Sequence, residues 1–337
     1  MAESEFCNHN GSVTCVASEN TSKLIASGGE DGQVKLWVFD GKLKSLASCV
    51  RPAAHIIENK RSPESEDIAS LCFGKSDVRH IFVAVGSCVF CYDIRSFQKP
   101  TEKFTFNEEE INHISLDDSG EFLATADDSG TVTIISLSEK RVYKLLKRHR
   151  NVVYTVQYRP KRRWEVVSGG FDCHLFHWNV LKGKPFCAWD LNCEDYKTDI
   201  SLASNINPPY VLNVHFSSDG NFLASGQADG SVKIFSSHGK RIKHIESIQA
   251  HAAGVSQVHF PLLTTDSRSI LLYSSGNDGK LIAWKVISQE KDKFKRADIC
   301  AVWTSSSSEK TNCITSLSEH LIVADTSPQL KVFTLPP

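Results

Sequence analysis

A short pattern returns along this chain and limits what it can fold into. In "LIASGGEDGQVKLW", "EVVSGGFDCHLFHW" and "LLYSSGNDGKLIAW" a serine is followed four residues later by an aspartate, and six residues after that by a tryptophan. The sets are Ser27/Asp31/Trp37, Ser168/Asp172/Trp178 and Ser274/Asp278/Trp284, each preceded by His-x-x-x-Val: His9 to Val13, His149 to Val153 and His251 to Val255. Another stretch, "FLASGQADGSVKIF", keeps Ser225 and Asp229 and ends on Phe235, and "FLATADDSGTVTII" keeps Thr125 with a shifted acidic pair, Asp127 and Asp128. "IFVAVGSCVFCY" has lost the aspartate, and "LIVADTSPQLKVF" ends at Phe333. A unit this small cannot bury its own apolar face, so such repeats must pack on one another.

The closing positions 37, 92, 135, 178, 235, 284 and 333 recur at intervals of 43 to 57 residues. A period of ~40–45 residues lengthened by insertions marks propeller blades. Between the anchors lie short alternating runs bounded by Gly, Asp and Ser turns, with no amphipathic 3.6-residue period. The expected fold is all-β, a single seven-bladed β-propeller over residues 1–337. Phe333 leaves no room for a fourth strand in the last blade. Residues near Ser4 to Cys7 are therefore expected to supply its outer strand, so that the N-terminal strand closes the ring and removes two open sheet edges. Residues 50–66, 190–208 and 288–310 read as polar loop insertions between blades.

The totals narrow the function. With 38 basic and 39 acidic residues, the chain lacks the charge bias of a nucleic-acid or membrane-surface binder. No run reaches the ~18 apolar residues of a membrane helix, and "MAESEFCNHN" has no signal-peptide pattern. The expectation is an intracellular protein of the cytoplasm, the nucleus or both, monomeric outside its complexes. The eleven cysteines are irregularly spaced, and Cys15, Cys72 and Cys313 lie in apolar runs, the pattern of reduced, buried thiols. Cys88 and Cys91 on one strand face opposite sides, and zinc needs four ligands, so no metal or other cofactor is expected.

The His, Ser, Asp and Trp spacings resemble those of the WD-repeat family, and the resemblance covers nearly the whole chain. The Trp-Asp dipeptide itself is absent, since Val38, Asn179 and Lys285 follow the three tryptophans. The chemistry fits a brace. Aspartate in a turn can accept a hydrogen bond from the imidazole, the other ring nitrogen can bond the serine hydroxyl, and the hydroxyl can accept from the indole N–H. Ser, His and Asp are also the residues of a catalytic triad, but an active site does not recur blade by blade, so the sets read as structural. "FGKS" at 73–76 lacks the upstream glycine of a phosphate loop, because Ala69 stands there. "SGGEDG" is a strand-to-strand turn with no helix to hold a dinucleotide. The chain is expected not to be an enzyme.

Three surface features compete for a binding role. The basic residues Lys144, Lys147, Arg148 and Arg150 are separated from Arg159, Lys161, Arg162 and Arg163 by "VVYTVQY". A strand of that length spans roughly 23 Å, so the two clusters fall on opposite faces and read as solvated loop charge. Glu108, Glu109 and Glu110 precede a first strand on the histidine-loop face; they read as ordinary surface or as a seat for a basic peptide. Tyr92-Asp93-Ile94-Arg95 reads as a strand end with a turn aspartate and a solvated arginine, or as a docking element.

"IFVAVGSCVFCYDIR" also resembles the box of small and aliphatic residues ending in Trp-Asp-x-Arg that marks WD-repeat proteins docking on the adaptor of cullin-4 ubiquitin ligases. Here Tyr92 replaces tryptophan, and Gly86 and Ser87 stand where the preceding turn has aspartate. Trp189-Asp190-Leu191-Asn192 lacks the arginine. "FNEEEIN", "ADDSG", "LKRH", "GVSQV", "GNDGK" and "LIVAD" are similar to WD-repeat proteins counted among candidate substrate receptors of these ligases. The resemblance implies a non-catalytic substrate receptor that meets the adaptor through Tyr92, Asp93 and Arg95. The alternatives are a general assembly scaffold, or a basic-peptide reader using Glu108 to Glu110.

Overall fold

The computed structural model describes residues 4–7, 9–50, 67–193, 207–237, 242–262, 269–288, 297–307 and 309–334. Of the insertions expected at 50–66, 190–208 and 288–310, residues 51–66, 194–206 and 289–296 lie outside these residues; the last expectation is corrected in part, because Ala297–Ser306 is a strand paired to Lys280–Ser288 rather than loop. Seven antiparallel sheets of four strands are formed. Strand β1 (Ser4–Cys7) comes first. Blade one is β2 (Val13–Glu19), β3 (Leu24–Gly29), β4 (Gln33–Phe39) and β5 (Leu43–Val50). Blade two is β6 (Ile68–Phe73), β7 (His80–Val85), β8 (Cys88–Asp93) and β9 (Glu102–Phe104). Blade three is β10 (Ile111–Leu116), β11 (Phe122–Asp127), β12 (Thr131–Ser136) and β13 (Arg141–Lys147). Blade four is β14 (Val153–Tyr158), β15 (Glu165–Gly170), β16 (His174–Asn179) and β17 (Lys184–Asp190). Blade five is β18 (Val211–Phe216), β19 (Phe222–Gln227), β20 (Ser231–Ser236) and β21 (Lys243–Gln249). Blade six is β22 (Val255–His259), β23 (Ser269–Gly276), β24 (Lys280–Ser288) and β25 (Ala297–Ser306). Blade seven is β26 (Thr311–Leu317), β27 (His320–Asp325) and β28 (Gln329–Thr334), completed by β1.

The first strand of each blade touches the first strands of the blades before and after it, and β2 touches β26, which makes a closed ring. The seam is covered because β1 pairs with β28, with Ser4 opposite Val332 and Cys7 opposite Gln329. A seven-bladed propeller built on this pattern is therefore the fold of the chain.

The apolar core lies between blades rather than inside any of them. Alternate residues of a strand point to opposite faces. Thus Ile25 packs toward blade seven, with Ile322 and Leu330, while Ala26 packs toward blade two, with Ile68 and Val83. Cys88 and Cys91 divide in the same way between the cores on either side of blade two. Six of the seven interfaces are tight because a small residue of one blade's second strand receives an aliphatic side chain that opens the next blade. A Cβ on Gly28, Gly169 or Gly226 would overlap Ile68, Val211 or Val255. Ala84, Ala126 and Ala324 share clusters with Ile111, Val153 and Val13. This is the physical content of the recurring small residues before each turn.

In the turns between second and third strands, Gly32, Gly130, Gly230 and Gly279 hold positive φ, which glycine adopts at no steric cost. Cys173 occupies the corresponding place in blade four, with φ of 59°.

Candidate functional site

The three repeated sets close into hydrogen-bonded chains. Nδ1 of His9, His149 and His251 lies 3.0, 3.0 and 2.9 Å from Oδ1 of Asp31, Asp172 and Asp278. Nε2 of each ring lies 2.8 Å from the hydroxyl of Ser27, Ser168 or Ser274. The same hydroxyls accept from the indoles of Trp37, Trp178 and Trp284 at 3.0, 2.8 and 2.9 Å. One tautomer satisfies every group: Nδ1–H donates to the carboxylate, and Nε2 accepts from the hydroxyl. The connectivity matches a catalytic triad, yet each serine oxygen already accepts an indole N–H, and the serines are at most 1% exposed. No substrate can reach them; the sets brace the blades. The carboxylates are anchored further. Burial alone would push Asp31 up, but the backbone N–H groups of Asn10 and Gln33, together with His9, hold it below the ordinary carboxylate range. Asp278, anchored by His251 and the N–H groups of Ala252 and Lys280 against the same cost of burial, falls to about 2.

Blades three, five and seven, which lack the histidine, fill its place from within, and strand register shows how. Val13, Val153 and Val255 stand opposite Gly29, Gly170 and Gly276. A Cβ on Gly29 or Gly276 would run into the imidazole of His9 or His251. In blades three, five and seven the residue in that register is Asp127, Gln227 or Asp325. Asn107 replaces the histidine of blade three, donating to Thr125 Oγ1 at 2.9 Å and to Asp127 Oδ2 at 2.8 Å. Gln227 donates to Ser225 Oγ at 2.6 Å, so Ser225 is braced by Gln227, while Asp229 caps its turn through Ser231. In blade seven the buried Lys331 ammonium meets Asp325 at 2.5 Å. The sequence carried a signal for these substitutes: in that register glycine accompanies a histidine, and a polar side chain stands in blades three, five and seven, while blade two, which also lacks the histidine, has the apolar Val85.

The innermost strands surround a channel of about 880 Å³. They do not ladder to one another; side chains stitch them. Thr14 Oγ1 donates to Ile68 O at 2.6 Å. Ser70 Oγ accepts from Ile114 N at 3.2 Å, and Ser115 Oγ from Tyr158 N at 3.1 Å. Thr155 Oγ1 accepts from Val214 N at 3.2 Å, and Asn213 Oδ1 from Val258 N at 3.1 Å. Gln257 accepts from Ile314 N, and Cys313 Sγ accepts from Val16 N at 3.3 Å, which completes the circle. A bulge after the first residue of every innermost strand, between Val13 and Cys15 in blade one, re-aims these side chains. Cys15 and Cys313 therefore serve as packing and hydrogen-bonding groups, and burial pushes the Cys313 thiol up to about 11.

Two histidines of the channel wall carry a pH prediction. The His215 and His259 rings lie in contact, tilted, with centroids 4.6 Å apart. Phe260 N–H donates to His215 Nδ1 at 3.1 Å, and His259 Nε2 lies 2.9 Å from Ser316 Oγ. Burial lowers both: His259 to about 4, and His215 well below its usual value, helped by the neighbouring His259, Lys75 and His113. An unfolded chain binds these protons near pH 6.5, whereas the folded chain resists them, so folding stability is intact above 6.5 and is lost as pH falls toward 4. The expected loss from His259 is up to about 3 kcal/mol. Melting curves at pH 7 and pH 4.5 should show His259→Gln narrowing the gap between the two; an equal gap in the variant would exclude His259 as its source.

The charged clusters also fall into place. β14 separates Arg148 and Arg150 from Arg159 to Arg163, so the two halves of the basic run lie at opposite ends of the innermost strand. Two of these residues are not solvated loop charge. Arg159 is 4% exposed and bonds Gly220 O, Ser237 O and Glu165, because it ties the end of blade four to blade five. Arg163 lies over the rings of Phe122 and Trp164 and pairs with Glu121. Glu108 and Glu109 are exposed and Glu110 is half-buried, ahead of β10.

Tyr92, Asp93 and Arg95 separate into two roles. Tyr92 is 2% exposed and packs on Phe97 in the core between blades one and two. It cannot touch a partner, which corrects its place among the docking residues: a ring in strand register on that core face is buried by the preceding blade. Asp93 caps the 3-10 turn Ile94–Ser96 and accepts from Arg95 N at 2.9 Å. It also takes Arg95 Nε at 3.0 Å and Nη2 at 2.5 Å. These bonds hold the Asp93 carboxyl well below the usual range, and the Arg95 side chain stays 63% exposed. Asp93 is therefore a turn former, and the same carboxylate holds the exposed Arg95 guanidinium.

Comparisons with known proteins agree with the repeat pattern. A family model described as Nucleolar protein 10-like, N-terminal domain matches residues 2–158, and the WD domain, G-beta repeat model matches residues 140–179 and 204–236. The chain is 27% identical to the WD repeat-containing protein 53 homolog of Dictyostelium discoideum, over 99% of this chain and 95% of that one. It is 23% identical to Protein hir1 of Schizosaccharomyces pombe, over 68% of this chain but only 25% of that protein. The solved WD40 β-propeller domain of Doa1 superposes with a TM-score of 0.72 at 14% identity, covering 99% of this chain and 97% of that one, which speaks to the fold alone. Among the described residues no helix is long and apolar enough to cross a membrane. The chain is a seven-bladed propeller carrying WD40 repeats, the architecture of a protein-interaction scaffold.

Proposed function

We propose that this scaffold is a substrate receptor of a cullin-4 ubiquitin ligase, meeting the ligase adaptor through Asp93 and Arg95 and holding its substrate on the opposite face. The reading rests on one observation: at the end of the third strand of the docking-like box, an exposed guanidinium is held by two carboxylate oxygens of its own turn. Such a fork presents its remaining N–H groups to a partner at little ordering cost. The resemblance of the surrounding box to adaptor-docking WD-repeat proteins supplies the partner. On the other face, exposed Glu108 and Glu109 together with Asp128 favour a substrate with basic side chains. Ubiquitin-ligase chemistry belongs to other subunits; this chain contributes position only.

The test is a pulldown of the adaptor with the unsubstituted chain and with Arg95→Ala. Losing one charge-assisted pair at an interface should weaken binding about tenfold or more. The melting temperature should stay unchanged, because the side chain is exposed. Retention of full binding by Arg95→Ala would remove the ligase reading and leave the assembly scaffold.

A further inference from the structure

Blade two carries a second fork of the same construction. Asp77-Val78-Arg79 lies in the loop between β6 and β7, at the same end of the blade as Asp93-Ile94-Arg95. Arg79 N donates to Asp77 Oδ1 at 3.0 Å, Nε to the same oxygen at 2.7 Å and Nη2 to Oδ2 at 2.5 Å. The corresponding distances for Arg95 on Asp93 are 2.9, 3.0 and 2.5 Å. The two loops are joined, since Ile94 N–H donates to Arg79 O at 2.8 Å. His80, paired in register with Asp93, lies 3.5 Å from Asp77. Arg79 is 50% exposed and Arg95 63%, whereas their aspartates are 29% and 14% exposed. Each guanidinium gives Nε and Nη2 to its own aspartate, and neither Nη1 has a partner among the described residues.

We infer that Asp77 and Arg79 form the second half of the docking surface, so that blade two engages its partner through two guanidinium forks that receive two carboxylate side chains of the adaptor. The inference rests on the receptor reading above and adds to it a residue and a partner chemistry. Two exposed ion pairs contribute little to stability. As a docking surface they are more useful, because each aspartate fixes its arginine before the partner arrives. The aspartates also make the surface selective. They offset the arginine charges, so the face is no general attractor of anions, and what remains is directional N–H groups matched to planar carboxylates. A doubly charged phosphate would be repelled by Asp77 and Asp93 more strongly than a carboxylate would.

The measurement is the affinity of the purified chain for the purified cullin-4 adaptor at two salt concentrations, with Arg95→Ala, Arg79→Ala and Arg79→Lys, each checked by its melting temperature. We expect Arg79→Ala to weaken binding about tenfold, as Arg95→Ala does, with a shallower salt dependence. Arg79→Lys, which keeps the charge and loses the fork, should bind nearly as weakly as Arg79→Ala. Weak binding by Arg95→Ala beside full binding by Arg79→Ala or Arg79→Lys would overturn the second fork and leave the receptor reading standing. No binding by the unsubstituted chain, or full binding by Arg95→Ala, would overturn the receptor reading itself.

Discussion

Replacing Asp172 with alanine is expected to lower the melting temperature by about 4 °C or more. The carboxylate accepts from His149 Nδ1 at 3.0 Å, from Arg150 N at 3.0 Å and from His174 N at 3.1 Å. Alanine leaves the His149 ring, whose side chain is fully buried, without an acceptor for its N–H. Unpaired buried donors cost about 1–3 kcal/mol each, so the total is about 3 kcal/mol or more. The effect should spread beyond the turn, because His149 orients Ser168, and Ser168 holds Trp178, which is fully buried against the interface between blades three and four. Asp172→Asn keeps an acceptor for the imidazole and should recover part of the loss. The carboxyl is costly to bury, yet His149 and the two N–H groups hold it below its usual range. Its contribution is therefore complete above the ordinary carboxylate pKa and disappears as pH falls through the lowered one. Differential scanning calorimetry of the two variants decides the matter: an alanine variant that melts with the unsubstituted protein would mean that the set braces nothing.

Removing residues 1–8 should have an effect of similar size by a different route. Four registered pairs join β1 to β28. At about 0.5–1.5 kcal/mol per hydrogen bond they contribute roughly 2–6 kcal/mol. Without them β28 becomes an open edge, blade seven keeps three strands, and the ring loses the crossing that joins its two ends. The truncated chain should melt lower and self-associate, because an unpaired strand edge is a template for another chain. Thermal melts combined with light scattering would show both changes. A truncated chain that melts as the intact one and stays monodisperse would show that the seam is held by the neighbouring blades alone.

The sequence alone determined the number of blades, their order and the three buried braces. Each of these depends on local spacing: a turn of set length, a residue period of two, and donor and acceptor types that fit one another. Strand closure by Ser4 to Cys7 followed from counting strands. Asn107, Gln227 and Asp325 were harder to see, because each restores a hydrogen bond with a different residue type, and only strand register places them where the imidazole would lie. Tertiary structure alone decided which polar residues face solvent. Tyr92 is covered by the blade before it and Arg159 by the blade after, while Arg79 and Arg95, sixteen positions apart in the chain, become neighbours because antiparallel β7 and β8 return both loops to one end of blade two. Spacing along the chain carries the repeat; the packing of one sheet on the next determines what each repeat shows to a partner.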